Sequence, residues 1–180
     1  MIMLYFFKRF SWLSVLLGFA LLGACSLFAP PPPAPVKPTV VPDRDMIGAI
    51  HAAGDREKSV IDVNPLRDPG VTLLQDNAQS DEQAGRYADA AGKLDQAIKL
   101  SPNSPDLLQD RAEIAVRMKD YAGAERLAHQ SWSIGPKLGP LCARNWQTIV
   151  EMRLQAGDEA GANTARNWVK QCHKAGIERY

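Results

Sequence analysis

Reactive chemistry in this chain would fall first to three cysteines, Cys25, Cys142 and Cys172, and three histidines, His51, His129 and His173. A structural zinc site closes four such ligands around the ion, and a catalytic one keeps three. Here the histidines stand far apart, no His-x-x-x-His pair puts two rings on one helix face, and the adjacent Cys172 and His173 supply no closed ligand set. No Cys-x-x-Cys spacing marks a redox pair. No Gly-x-Ser-x-Gly elbow presents a nucleophile, and no glycine-rich loop is arranged to cradle a phosphate. General acid–base work needs groups whose surroundings set their pKa values apart, and no pair of carboxylates stands out in that way. The sequence therefore reads as a non-enzyme with no catalytic residue, metal or cofactor, its histidines surface or helix-end groups.

Cys25 invites a different chemistry. It lies in LLGFALLGACSLFAPPPPAPV, residues 16–36, where an apolar run stops at a cysteine and gives way to proline. Before it come a basic patch at Lys8 and Arg9, an apolar stretch from Phe10 to Leu22, and small residues Gly23 and Ala24, the parts of an export signal. The LGAC tetrapeptide resembles the lipobox of bacterial lipoproteins. The resemblance, which covers residues 1–26, implies that the Cys25 thiol receives a diacylglyceryl group, that residues 1–24 are removed as a signal peptide, and that the new amine is acylated. One acyl chain binds a membrane marginally and two or more anchor stably, at about 0.8 kcal/mol per buried CH₂. An uncleaved membrane helix from Met3 to Phe28, or an ordinary signal peptide, is the alternative. Ser26 resembles the pattern sorted to the outer membrane, which implies a periplasm-facing, lipid-anchored protein.

Residues 30–42 hold seven of the thirteen prolines. In polyproline II they would reach about 40 Å at full extension, so residues 25–42 read as a lipidated Cys and stand-off linker; a proline-rich ligand is the other use of such a stretch. Across the whole chain, 21 Lys and Arg face 20 Asp and Glu, with 46% hydrophobic residues. That suits one domain with a real core and gives no basic excess for nucleic acid. Residues 43–70 form an N-terminal extension in which Met46, Ile47 and Ile50 can make a short amphipathic turn or two before Gly54.

Beyond it the sequence repeats. GRYADAAGKLDQAIKLSPNS at 85–104 lies over KDYAGAERLAHQSWSIGPKL at 119–138, offset by 34 residues, pairing Tyr87 with Tyr121, Ala90 with Ala124, Leu100 with Ile134 and Pro102 with Pro136. Small residues let antiparallel helices approach closely, and the terminal proline stops the second helix. The pattern resembles the tetratricopeptide repeat, a 34-residue helix–turn–helix. It implies an all-α stack: repeat 1 at 71–104, with helices at about 71–84 and 87–100, repeat 2 at 105–138, and a degenerate repeat 3 with C-terminal cap within 139–180, its unit running from Ala143 to Gly176. Ser104 reads as an N-cap before Pro105. In the last unit Trp146, Gly157, Asp158 and Ala162 match the pattern, whereas Glu159 replaces the aromatic and no terminal proline appears.

By the family's rule, first helices line a concave face, which places Gln75, Gln79, Gln109, Glu113, Gln147 and Glu151 on a polar, mildly acidic groove. The basic clamp by which some members grip C-terminal carboxylates is missing, so an extended peptide or a helix with some positive charge is the expected ligand. A solvated face with no ligand is the plain alternative for any one of these residues. Trp132 and Trp146 fall at apolar repeat positions and read as core, and Trp168 as an exposed aromatic. The resemblance also brings Cys142, before the first helix of the last unit, near Cys172, at the end of its second, so that a disulfide would form in an oxidising compartment; two free thiols or a redox pair are the alternatives. The reading is a lipid-anchored periplasmic adaptor that binds a segment of another envelope protein. A glycan-binding accessory lipoprotein using Trp168, or an allosteric activator of a cell-wall enzyme, are the other readings.

Overall fold

The computed structural model describes residues 44–57 and 67–173. Lys8, Arg9, the apolar segment, Cys25 and the proline-rich stretch lie outside the described residues. Seven helices and no strand occur among the described residues: α1 Met46–Asp55, α2 Pro69–Gln83, α3 Tyr87–Leu100, α4 Pro105–Arg117, α5 Tyr121–Ile134, α6 Pro140–Gln155 and α7 Glu159–Gln171. None is long and apolar enough to cross a membrane. The helices α2 to α7 form three hairpins, each helix packing on its neighbours in the chain.

Start and stop signals explain these boundaries. Pro69, Pro105 and Pro140 each stand at the first position of a hairpin's first helix, where the missing N–H costs nothing and φ is already helical. Asp68 caps α2 by accepting from the Gly70 N–H at 2.7 Å. Ser104 occupies the N-cap position of α4 but makes no capping bond; its hydroxyl lies 2.6 Å from that of Ser101 instead. Pro102 and Pro136 follow the ends of α3 and α5 by two residues, as expected of a residue that cannot continue a helix. The first helices begin earlier than the repeat pattern places them, at Pro69 and Pro140. With sixteen residues α6 outgrows the thirteen of α4, which moves the start of α7 beyond the 34-residue spacing, to Glu159.

One turn recurs in all three hairpins. The N–H of Arg86, Asp120 and Asp158 donates to the carbonyl of Asp81, Ala115 and Arg153 at 2.8, 2.9 and 2.9 Å, closing each first helix in a Schellman motif. The motif needs a left-handed residue, supplied by Gly85 (φ 74°), Lys119 (φ 62°) and Gly157 (φ 75°). Asp120 and Asp158 then cap the next helix by accepting from the N–H of Gly123 at 3.0 Å and of Gly161 at 2.8 Å. A left-handed L-residue costs about 1–2 kcal/mol, whereas glycine's extra freedom in the unfolded chain takes back about 0.4–1 kcal/mol. Lys119→Gly is therefore expected to stabilise the domain by about 0.5 kcal/mol, read as a higher urea midpoint at unchanged slope.

Small side chains make close helix packing. Ala90, Ala124 and Ala162 hold the same place, three residues into α3, α5 and α7, and all are fully buried. Val71, Ala78, Leu94, Leu107 and Ile114 join Ala90 in the core of the first hairpin and its junction with α4. Ala128, Ala143, Trp146, Ile149, Ala165 and the two cysteines build the core of the last. A third cluster sets Ile47 and Ile50 of α1 against Ala115, Val116, Ala124 and Met152. The isolated helix would be marginal at ten residues, so its helicity depends on that seat. It continues past Gly54 to Asp55, further than the sequence pattern suggests, and Gly54 is buried against α6: a Cβ there would lie 2.9 Å from Cγ of Arg144.

Candidate functional site

The face of the first helices is where the sequence places its groove, and α1 lies on it, packed on α6 and α4. It covers the part of that face formed by α4 and α6. Gln109, Glu113 and Glu151 are buried, Gln75 and Gln147 are half-buried, and Gln79 is exposed. Polar contacts hold α1 there at three places. Arg44, just before α1, pairs with Glu151. One turn past Ile47, Nε2 of His51 sits 2.8 Å from Oε2 of Glu113. At the far end Glu57 lies 2.9 Å from Nδ1 of His173, beyond α7. Three buried aliphatic residues, Ile47, Ile50 and Ala53, one arginine–carboxylate pair and two imidazole–carboxylate contacts thus seat the helix.

Glu113 is the centre of the floor. Its Oε1 accepts from Nε2 of Gln109 at 2.8 Å and from Nε of Arg144 at 2.9 Å. Gln109 also donates to Oγ1 of Thr148 at 2.9 Å, and Arg144 donates from Nη2 to Oδ1 of Asp110 at 3.0 Å. Gln75 donates to Oδ2 of Asp110 at 2.7 Å and accepts from Arg67, which also pairs with Asp106. Gln147 donates to Glu151 at 2.8 Å. A continuous polar network therefore crosses from α2 through α4 to α6. Within it Gln75 bridges Arg67 and Asp110, and Gln109 links Glu113 to Thr148.

Burial would raise the Glu113 pKa, but the hydrogen bond to His51 and the charge of Arg144 outweigh it and hold the carboxyl below its ordinary value. Burial wins at Asp110, which is raised although Arg144 pulls it down. Arg144 is raised: desolvation works against its charge, and the two carboxylates more than offset that. The hydrogen bond to Glu113 raises His51, against partial burial and the nearby Arg144, with Glu82 a lesser help. An imidazole raised in the folded state contributes stability in full below its ordinary pKa and loses it as pH rises through the folded one. The melting temperature should accordingly fall as pH rises above the ordinary imidazole value of about 6.5, and fall less in His51→Gln.

The sequence reading missed Arg144, Asp110, Arg67 and Arg44. Apart from Gln75, which lies 8 residues from Arg67, their partners lie 31 to 107 residues away, and no local spacing announces them. Cys142 and Cys172 are joined by a disulfide. Trp146 is buried and stacks on Trp168 at 5.2 Å with a 9° interplanar angle. Trp132 meets both edge-on, with Nζ of Lys137 4.2 Å from its ring centre. Trp168 is 38% exposed. His51 and His173 sit at the ion pairs described, and His129 lies edge-on to Trp146 at 5.6 Å. Among the described residues no group of three or more His, Cys, Asp or Glu could hold a metal ion.

Three helical hairpins closed by one repeated turn, with a groove along their first helices, define a tetratricopeptide-repeat domain, and the family model described as tetratricopeptide repeat matches residues 82–140. Among solved structures, the globular C-terminal domain of P. aeruginosa LpoP is 30% identical, with a TM-score of 0.55, and the match covers 58% of this chain and 99% of that one. The chain belongs to the family of that domain. The first tetratricopeptide-repeat domain of Spaghetti (RPAP3), bound to the HSP90 peptide SRMEEVD, shares the fold at 16% identity and a TM-score of 0.54, covering 59% of this chain and 82% of that one. No curated protein matches the chain.

Proposed function

We propose that this protein is a lipid-anchored adaptor on the periplasmic face of the outer membrane, non-enzymatic, whose groove holds a helical or extended segment of another envelope protein. One observation carries the reading: the groove accommodates a helix, with the chain's own Ile47 and Ile50 on apolar ground and its Arg44 and His51 on carboxylates. A ligand with some positive charge fits that floor. An acidic peptide such as SRMEEVD, the ligand of the RPAP3 domain, would meet Glu113, Asp110 and Glu151 and be repelled. Cys25, as the acylated residue, would confine the adaptor to a surface, residues 30–42 would set its reach, and confinement would raise the local concentration of its partner. Activation of a cell-wall enzyme is one output of such binding, visible only in an activity assay.

Reversible crosslinking and copurification from the native envelope tests this, comparing the wild type with Cys25→Ser and with Gln79→Lys/Gln147→Lys. Those two positions keep water contact and Gln109 and Glu113 do not, so the pair reverses groove polarity without loading the core. A protein enriched by the wild type and lost with the groove pair identifies the partner; equal enrichment moves the binding surface elsewhere. The partly exposed Trp168, stacked on Trp146, favours one second reading, a sugar-binding platform. Titration with soluble glycan fragments should then shift tryptophan emission in the wild type and not in Trp168→Ala.

A further inference from the structure

We infer that α1 is a displaceable resident of the groove and that it spells out the ligand the groove accepts: a helix with two aliphatic residues three apart, a cation three positions before the first and another just after the second. In this chain these are Arg44, Ile47, Ile50 and His51. The inference deepens the adaptor reading and rests on it for the existence of an outside partner. The resting protein covers its own site, and a partner helix of matching chemistry competes with α1 for the same seat.

Four observations lead there. α1 gives the cores of the first and last hairpins a single small residue, Ala53 in the last, so its departure leaves the six-helix stack with nearly all of its own packing. α1 is short and is held by few apolar side chains, Ile47, Ile50 and Ala53 being its buried hydrophobics. Its charged contacts reach three separate places, Glu151 on α6, Glu113 on α4 and His173 after α7, so each one samples a different part of the groove and none depends on a neighbour in sequence. The fit is also incomplete. Nε of Arg44 and Oε1 of Gln109 are buried without a hydrogen-bond partner, although buried polar atoms in folded proteins are nearly always paired. A helix offering a donor to Gln109 and a better-seated guanidinium at Glu151 would satisfy the floor more fully than α1 does. Against this, α1 enjoys the high effective concentration of a tethered ligand, so weak ligands are kept out.

The test uses the full-length protein in detergent and a fluorescent peptide of residues 44–57, read by anisotropy. The wild type should bind it poorly. Ile47→Asp/Ile50→Asp, which cannot seat its own α1, should bind it at least about tenfold more tightly, and a peptide carrying Ile50→Asp should bind neither protein. Equal binding by wild type and variant would overturn occlusion, and a variant with native far-UV circular dichroism that ignores the peptide would overturn the groove as a helix seat. Where the variant does not fold, hydrogen exchange on the wild type decides: α1 amides should exchange well before those of α4 and α6, and exchange of all three together would overturn the inference. Because the probe is this chain's own segment, its failure is separate from a failure to find an envelope partner by crosslinking.

Discussion

Replacement of Cys142 and Cys172 by alanine is expected to destabilise the domain by about 3 to 4 kcal/mol, since the bridge closes a loop of 30 residues in the unfolded chain. The position of the bridge makes the loss large in effect. α7 fully buries only Ala162 and Ala165, and among the described residues no helix follows it. The bridge ties the first turn of α6 to the end of α7, where the Gly139 N–H also donates to the Cys172 carbonyl at 2.8 Å. Loss should therefore begin with detachment of α7 and separation of Trp168 from Trp146. Urea unfolding followed by tryptophan emission would show an early transition absent from the oxidised wild type. A single transition at the wild-type midpoint would mean that packing alone secures the last hairpin.

A comparable loss, about 3 kcal/mol, is expected for Arg144→Ala, because removing the guanidinium leaves the buried carboxylate of Glu113 without its compensating charge. The buried Glu113 and the half-buried Asp110 would then stand side by side with the guanidinium gone, and His51 alone would face them from α1. Both carboxyls should be raised in the variant. A raised carboxyl contributes most below its ordinary pKa and loses that contribution as pH rises, so the deficit should be smaller near about pH 5 than at neutral pH. Adding Glu113→Gln to Arg144→Ala should recover part of the loss, and the double-mutant cycle measures the coupling directly. Independent, additive effects would show that the two side chains do not act as a pair.

The repeat was legible because its signals are local. Tyr87 and Tyr121, Ala90 and Ala124, and Pro102 and Pro136 recur at one spacing, and each has a structural task visible within its own hairpin. The left-handed turn was half legible: Gly85 and Gly157 mark it, whereas Lys119 does the same work without the residue type that announces it. The groove was readable as a row of positions and unreadable as a surface. Nothing about Ile47 and Ile50 says that they pack on Val116 and Met152, because a short amphipathic segment is compatible with any apolar seat. Arg144 follows the same logic. Its neighbours in sequence are apolar or small, and its role comes from carboxylates on another helix.

The connectivity of α1 also bears on the order of assembly. Contacts within and between successive hairpins join near neighbours, a pattern of low contact order that favours rapid folding. α1 is different: Arg44 meets Glu151 across 107 residues and Glu57 meets His173 across 116. Closing so long a loop carries its entropy cost before any contact rewards it, and the residues that receive Ile47 and Ile50 belong to α4, α5 and α6, which must already be side by side. The chain thus builds the cleft first and fills it last, although the filling segment is the first helix in the described sequence.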